Sequence, residues 1–321
     1  MNTDSILIGL AGVLAATAPF VFAVVGETIT ERAGVINLSL NGLILLSAMG
    51  SFAVAVTTNS LLLGFLTGAG IGAAVALVIA FCSITLRQSQ VAVGFVLALL
   101  CRDLSYFLGN PFVNRPGPIV TPFRLPYFVS LDPVTVLSIA VIFAAWLWLF
   151  KTRPGLLLRG LGEQPAAAYV RGANVNRLRY FYTILGGAIV GLAGPAYSLS
   201  VKSGWRGTIS GLDGIGWIAL AIVIFGGWNP VRAALGAYLF GLLQWLGVAL
   251  QPMFPGVPSQ ILQVAPFPVM ILTLLFVSVG NAEWVARVLA RLPPRSRSLV
   301  ARAFRSLEAR PPASLGVPFE T

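Results

Sequence analysis

The sequence predicts an all-α polytopic membrane protein of about nine transmembrane helices (eight to ten), some of them broken. Three observations carry that expectation. Hydrophobic residues fill 57% of the 321 positions and charged residues only 10%, where a soluble domain carries about 25% charged residues. The apolar residues fall in runs close to the ~20 positions that a helix needs to cross a ~30 Å hydrocarbon layer. The basic excess, 21 Lys and Arg against 10 Asp and Glu, collects between those runs, as it does in loops that face the cytoplasm. A cytosolic enzyme, a nucleic-acid binder and a disordered regulator are excluded together.

The runs, in order, are 6–25, 35–56, 61–86, 91–108, 131–150, 180–200, 214–228, 231–250 and 261–279. The first is preceded by Asp4 and by no Lys or Arg, so it lacks the charged start of a signal peptide and is expected to be retained. The third carries Gly64, Gly68, Gly70 and Gly72, and the sixth Gly186, Gly187, Gly191 and Gly194. Small residues at that spacing let helix backbones approach closely, and a few of them could line a solute path. Pro195, Pro266 and Pro268 imply kinks whose freed backbone groups need partners. The seventh run is short, near the length of a re-entrant segment.

Orientation follows from the basic residues. Lys151, Arg153, Arg159, Arg171, Arg177 and Arg179 lie between runs five and six, and seven arginines from Arg287 to Arg310 lie after run nine. The positive-inside rule assigns both segments to the cytoplasm. An even number of crossings between them favours a full crossing by the seventh run. The amino terminus and the Pro-rich stretch 109–130 then face outward.

The interior offers little reactive chemistry. There is no histidine, and the two cysteines, Cys82 and Cys101, sit in apolar runs, so neither a disulfide framework nor a metal-ligand pattern exists. Asp103 lies within a run beside Arg102, which reads as a locally neutralised pair before it reads as an ion relay. The only lysines, Lys151 and Lys202, follow no Gly-rich phosphate loop. Active transport would need ATP hydrolysis on another polypeptide.

The stretch 151–179 has a helix grammar of its own. Pro165 suits a first helical turn, Ala166 to Arg171 are good helix formers, and Gly172 is a natural stop. A helix this short is unstable alone, so it must dock on this chain or on a partner.

Here the residues become recognisable. Gly162-Glu163-Gln164-Pro165-Ala166-Ala167-Ala168, Gly172 and Asn174 to Tyr180 resemble the coupling-helix loop of ABC-importer permeases of the sugar, nucleoside and branched-chain amino-acid group. Gly26-Glu27 through Asn37-Leu38-Ser39-Leu40-Asn41-Gly42 and Phe225-Gly226-Gly227-Trp228-Asn229-Pro230 match in the same order. The combination looks most like the second permease subunit of purine-nucleoside, simple-sugar type importers. That branch usually reads Asn-Leu-Gly-Leu-Glu-Gly over 37–42, so this chain lacks an acid at Asn41. The resemblance implies a type II ABC-importer permease architecture in the inner (plasma) membrane, with a transmembrane domain over 1–280. The stretch 281–321 is longer and richer in Arg and Pro than that family usually has, and by composition it reads as a solvated basic cytoplasmic tail at the membrane surface. It implies cytoplasmic ABC ATPase subunits, a second homologous permease and an external solute-binding protein as partners, beside the lipid bilayer and without nucleic acid. No cofactor is expected on this chain; ATP and Mg belong to the ATPase. Nor is the chain expected to be an enzyme. A nucleoside is the expected solute, with simple sugars, branched-chain amino acids and riboflavin-like compounds as alternatives.

Asn37 and Asn41 are four apart, hence on one face if helical, with Ser39 nearby. They read either as an interhelical lock or as polar studs on the solute path. Trp217 is the tryptophan expected to stack a base or sugar, while Trp205, Trp228, Trp245 and Trp284 read as interfacial anchors. Glu27, Glu31 and Arg32 read as an ion cluster fixing the loop after run one. Gly162, Glu163, Pro165, Ala166, Ala167 and Gly172 are the residues expected to couple to the ATPase.

Overall fold

The computed structural model describes residues 3–122, 132–250 and 310–320, with 268 and 272. Among them regular structure is helical, apart from one isolated bridge between Val113 and Trp205. The elements are α1 (Thr3–Arg32), α2 (Leu40–Thr58), α3 (Leu61–Ala80) with a π-turn at Phe81–Thr85, and α4 (Gln90–Gly109). They continue with α5 (Pro133–Lys151), α6 (Arg153–Glu163), α7 (Pro165–Val170) and α8 (Val175–Gly191). After α8, the three-residue α9 (Ala193–Pro195) leads into a π-turn at Ala196–Val201; α10 (Ile215–Phe225) and α11 (Pro230–Leu250) complete the set.

Short polar side chains set several of the boundaries. Ser60, Ser89, Asp132, Thr152 and Asn174 each accept a backbone N–H in the first turn of the helix they precede, replacing partners the helix cannot supply. Polar groups inside the helices are satisfied the same way. Thr17, Thr28 and Thr30 of α1 donate to the carbonyls of Val13, Val24 and Gly26, which a lipid-embedded chain requires because no water can do so.

Six helical segments are long and apolar enough to cross a membrane: Gly9–Arg32, Leu40–Thr58, Leu61–Thr85, Gln90–Phe112, Pro133–Lys151 and Val175–Val201. The expected nine is not reached among the described residues. The ninth run, 261–279, lies almost wholly outside them, and so does most of the tail. The eighth forms α11, 21 residues long. The seventh forms only the 11 residues of α10, ~16 Å of helix, or half a hydrocarbon layer. A full crossing by that run is therefore corrected. The chain enters α10 through Gly211 and Gly214, whose φ of 70° and 97° permit the reversal that a residue with a Cβ would resist.

α1, α2 and α8 form the centre, α1 packing on α5, α8 and α11 and α2 on α3 and α4. α3 and α8 cross so closely that a Cβ on Gly72 would collide with the Gly187 carbonyl oxygen, and this is the packing role expected of the small residues. The second run is broken at its start. Val35 to Ser39 are non-helical and α2 begins at Leu40. Gly94 packs on Leu38, Gly42 on Ala98 and Gly109 on Met49, so α2 and α4 run in the same direction. α10 runs the other way, from Gly216 against Asn41 to Trp228 beside Arg32. The kink expected at Pro195 is present, and the turn after it is tied to α2 by the Ser198 hydroxyl donating to the Ala48 carbonyl at 2.9 Å.

Candidate functional site

Two helices, the membrane-length α2 and the short α10, begin at one point inside the bundle. Asn41, in the first turn of α2, donates through Nδ2 to Asp213 Oδ1 at 2.7 Å and accepts the Gly214 N–H at 2.8 Å. Gly214 is the residue just before α10. The other Asp213 oxygen accepts Arg102 Nε at 2.8 Å and the Tyr106 hydroxyl at 3.3 Å, both from α4. Arg102 stands 12 residues into the 20-residue α4, ~18 Å along a ~30 Å helix, so the cluster lies just past the middle of α4. Asp213 also sits at the positive end of the α10 dipole, which favours its charge. Next on α10 comes Trp217, 38% exposed, with the Phe95 ring of α4 at 6.3 Å. Ionisable and aromatic side chains thus share one partly open face.

Sequence reasoning missed Asp213. It lies one residue before the seventh run, and only the reversal through Gly211 and Gly214 carries it inward. It also supplies a closer partner for Arg102: Asp103 stands 3.8 Å away and largely exposed, against 2.8 Å for Asp213. The expected Arg102–Asp103 pair is therefore present, with Asp213 as the closer second partner. The legible signal was a lone carboxylate between two glycines ahead of an apolar run.

Asn37 and Asn41 do not share a helical face, because Asn37 precedes the helix. Asn37 is fully buried; its Nδ2 donates to Glu27 at 3.2 Å and its Oδ1 accepts the N–H and hydroxyl of Ser39. Asn37 and Ser39 therefore pin the broken segment to α1, while Asn41 faces Asp213. Glu27 and Glu31 lie inside α1, which runs on to Arg32, and they find separate partners. The Trp228 indole N–H donates to Glu31 at 2.5 Å, and Arg32 donates to the Trp228 and Gly227 carbonyls at 2.8 and 3.3 Å. The expected ion cluster is instead a set of ties from the end of α1 to the α2 entry and the end of α10. Trp205 and Trp228, read as interfacial anchors, are buried at 1% and 4% exposure.

Near this end of the bundle lies the segment 153–172. α7 begins at Pro165 as expected, and Gly172 has a φ of 87°. The 11-residue α6 ahead of it was not foreseen, since Pro154, Gly155 and Gly160 mask its pattern. Arg32 reaches Glu163 at 3.8 Å. Gly162 packs on the Arg32 carbonyl, which leaves no room for a Cβ. Ala166 and Ala167 are exposed. At the opposite end a cleft of about 490 Å³ is lined by residues 113–116 and 203–206, Arg115 and Arg206 among them. Among the described residues no group of three or more His, Cys, Asp or Glu could hold a metal.

The family described as "branched-chain amino acid transport system / permease component" matches residues 9–279. TsgC13 of Haloferax volcanii, named for a provisional role as a glucose ABC transporter permease, is 36% identical over 76% of this chain and 82% of its own. The nucleoside ABC transporter permease NupC of Lactococcus lactis is 33% identical over 85% and 92%. The guanosine ABC transporter permease NupQ of Bacillus subtilis is 30% identical over 83% and 90%. Weaker likeness, 26% over 44% and 50% of this chain, extends to NupB and NupP of the same two bacteria. No solved structure shows a significant match. The match over most of the chain, on a bundle of membrane-length helices, makes this protein a multi-pass member of that family of ABC-transporter permease components.

Proposed function

We propose that the chain is the permease subunit of an ATP-driven nucleoside importer, and that its solute passes the face formed by Trp217, Phe95, Asp213 and Arg102. The junction of the α2 and α10 starts carries the proposal. Broken-helix starts with polar side chains inside the bundle are where transporters hold a solute, and a nucleoside has both a flat ring and hydroxyls. Trp217 and Phe95 offer the ring a stacking surface; Asp213 and Asn41 offer acceptors and donors for hydroxyls. Asn37 and Ser39 contribute by holding the broken segment in place. NupC and NupQ support the nucleoside reading. TsgC13 supports a sugar, for which the same polar cluster would serve without the stacking surface.

In this reading the end bearing α6 and α7 faces the cytoplasm. Two ATPase subunits supply ATP hydrolysis, which this chain does not perform, and one receives the segment from Gly162 to Gly172. Glu163, Pro165, Ala166 and Ala167 present that surface, and Arg32 beside Glu163 links it to α1 and, through the Gly227 and Trp228 carbonyls, to α10. Motion of the segment would then reach the junction of the α2 and α10 starts. A second permease completes the path against the open face of α4 and α10. A solute-binding protein docks over the cleft with Arg115 and Arg206.

The test is uptake of labelled guanosine by cells with and without this chain, with unlabelled ribose, leucine and riboflavin as competitors. Uptake restored by the intact chain and not by one lacking residues 166–171 supports the reading. Guanosine uptake that never depends on the chain moves the substrate to whichever competitor's uptake does. Uptake that survives loss of ATP at preserved membrane potential would overturn the ATP-driven reading in favour of a secondary transporter.

A further inference from the structure

The end of the chain does not stand free in solvent. Residues 310–320, read from composition as a solvated basic tail, lie across the end of the bundle that bears α6 and α7. The Ser314 N–H donates to the Gly162 carbonyl at 2.8 Å, and its hydroxyl reaches the carbonyls of Leu161 and Gly162 at 3.1 and 2.7 Å. The Gly316 N–H donates to the Gly34 carbonyl at 3.0 Å, in the turn between α1 and α2. Arg179 of α8, 1% exposed, donates to the Val317 carbonyl at 2.8 Å and to the Ser314 hydroxyl at 3.1 Å. A buried guanidinium needs such partners, so the segment is built into this end. It closes on the Tyr169 ring, 5.7 Å from Phe319, and on Arg87 of the α3–α4 turn, 2.8 Å from Glu320.

We infer that residues 310–320 are a strap that forms, with α7, a composite surface for the ATPase subunit. Tyr169, Val170 and Val317, 48%, 85% and 54% exposed, give that surface an apolar centre outside the membrane-length helices. Glu163, Arg171 and the Arg87–Glu320 pair surround it with charges of both signs. An apolar centre inside a polar rim is the anatomy of a protein–protein contact. The ATPase is the partner because the patch is continuous with α7. The strap also ties α7 to the ends of α1, α3 and α8, so a pull on this surface reaches several helices at once. The inference rests on the proposed coupling role of α7 and goes beyond it in assigning the carboxyl-terminal segment.

The test uses the full chain with its ATPase in membranes, with Cys82→Ala as background because Cys101 is buried. A benzophenone maleimide is attached at Val317→Cys in one protein and at Ala167→Cys in another; both positions are exposed, so folding should survive. Photo-adducts with the ATPase from both positions support the strap. An ATPase adduct from 167 with only lipid adducts from 317 overturns it and leaves the α7 reading standing. No ATPase adduct from either overturns both. Val317→Asp should lower copurified ATPase about tenfold, the cost of placing a charge in a desolvated contact; unchanged copurification counts against the strap.

Discussion

Asn41 and Asp213 are 172 residues apart in sequence, yet the Asn41 amide bridges the Asp213 carboxylate and the Gly214 N–H. One side chain thereby fixes the starts of α2 and α10, which run in opposite directions. The carboxylate beside it also holds Arg102 and Tyr106 of α4. Three elements meet at one acid, and any change in their relative position must break or rebuild those bonds.

Asp213→Asn should therefore abolish most uptake while leaving the protein inserted. Arg102 and Asp213 are 40% and 35% exposed, so their pairing contributes less than ~1 kcal/mol to stability. Uptake should fall at least ~10-fold, as loss of a charged contact of ~1.5 kcal/mol or more would require. Transport in proteoliposomes beside a thermal-stability scan separates the two effects. Unimpaired uptake would remove Asp213 from the path.

Trp217→Ala and Trp217→Phe should split. The alanine variant loses the stacking surface and should raise the KM for guanosine by about 3- to 10-fold, matching ~0.5–1.5 kcal/mol for an aromatic contact. The phenylalanine variant should restore most of it. For ribose as solute neither change should matter much, so competition by ribose in the alanine variant distinguishes ring recognition from hydroxyl recognition.

Glu27→Ala should destabilise the chain without touching the open face. It removes the acceptor of the fully buried Asn37 amide, and an orphaned buried donor costs ~1–3 kcal/mol. Glu27→Gln, able to accept through its carbonyl, should cost less. Unfolding midpoints in detergent check the order.

Gly72→Leu should disrupt α3 against α8, because even a Cβ at this position meets the Gly187 carbonyl. Overpacking costs ~1–3 kcal/mol or more where backbone stands in the way. The expected outcome is a lower midpoint and less inserted protein. Gly70→Ala, with open space around it, should be tolerated in the same assay.

The sequence by itself determined the membrane class, the positions of the six long helices, the kink at Pro195 and the short helix from Pro165. Those features follow from local composition, from the length a bilayer demands and from residues that end or start helices within a turn. It could not determine where the chain reverses inside the bundle. α10 is apolar throughout, so nothing local distinguishes a half-crossing from a full one; the reversal depends on Gly211, Gly214 and the contacts awaiting them. Asp213 was hidden for the same reason, as its neighbours Asn41, Arg102 and Tyr106 come from distant positions. The strap was hidden by composition: Arg- and Pro-rich sequence reads as solvated, and only the Arg179 guanidinium and the Gly34, Leu161 and Gly162 carbonyls, brought together by tertiary packing, give residues 310–320 a place to bind. Periodicity and length are properties of one segment, while a site made by crossing segments exists only once the helices have packed.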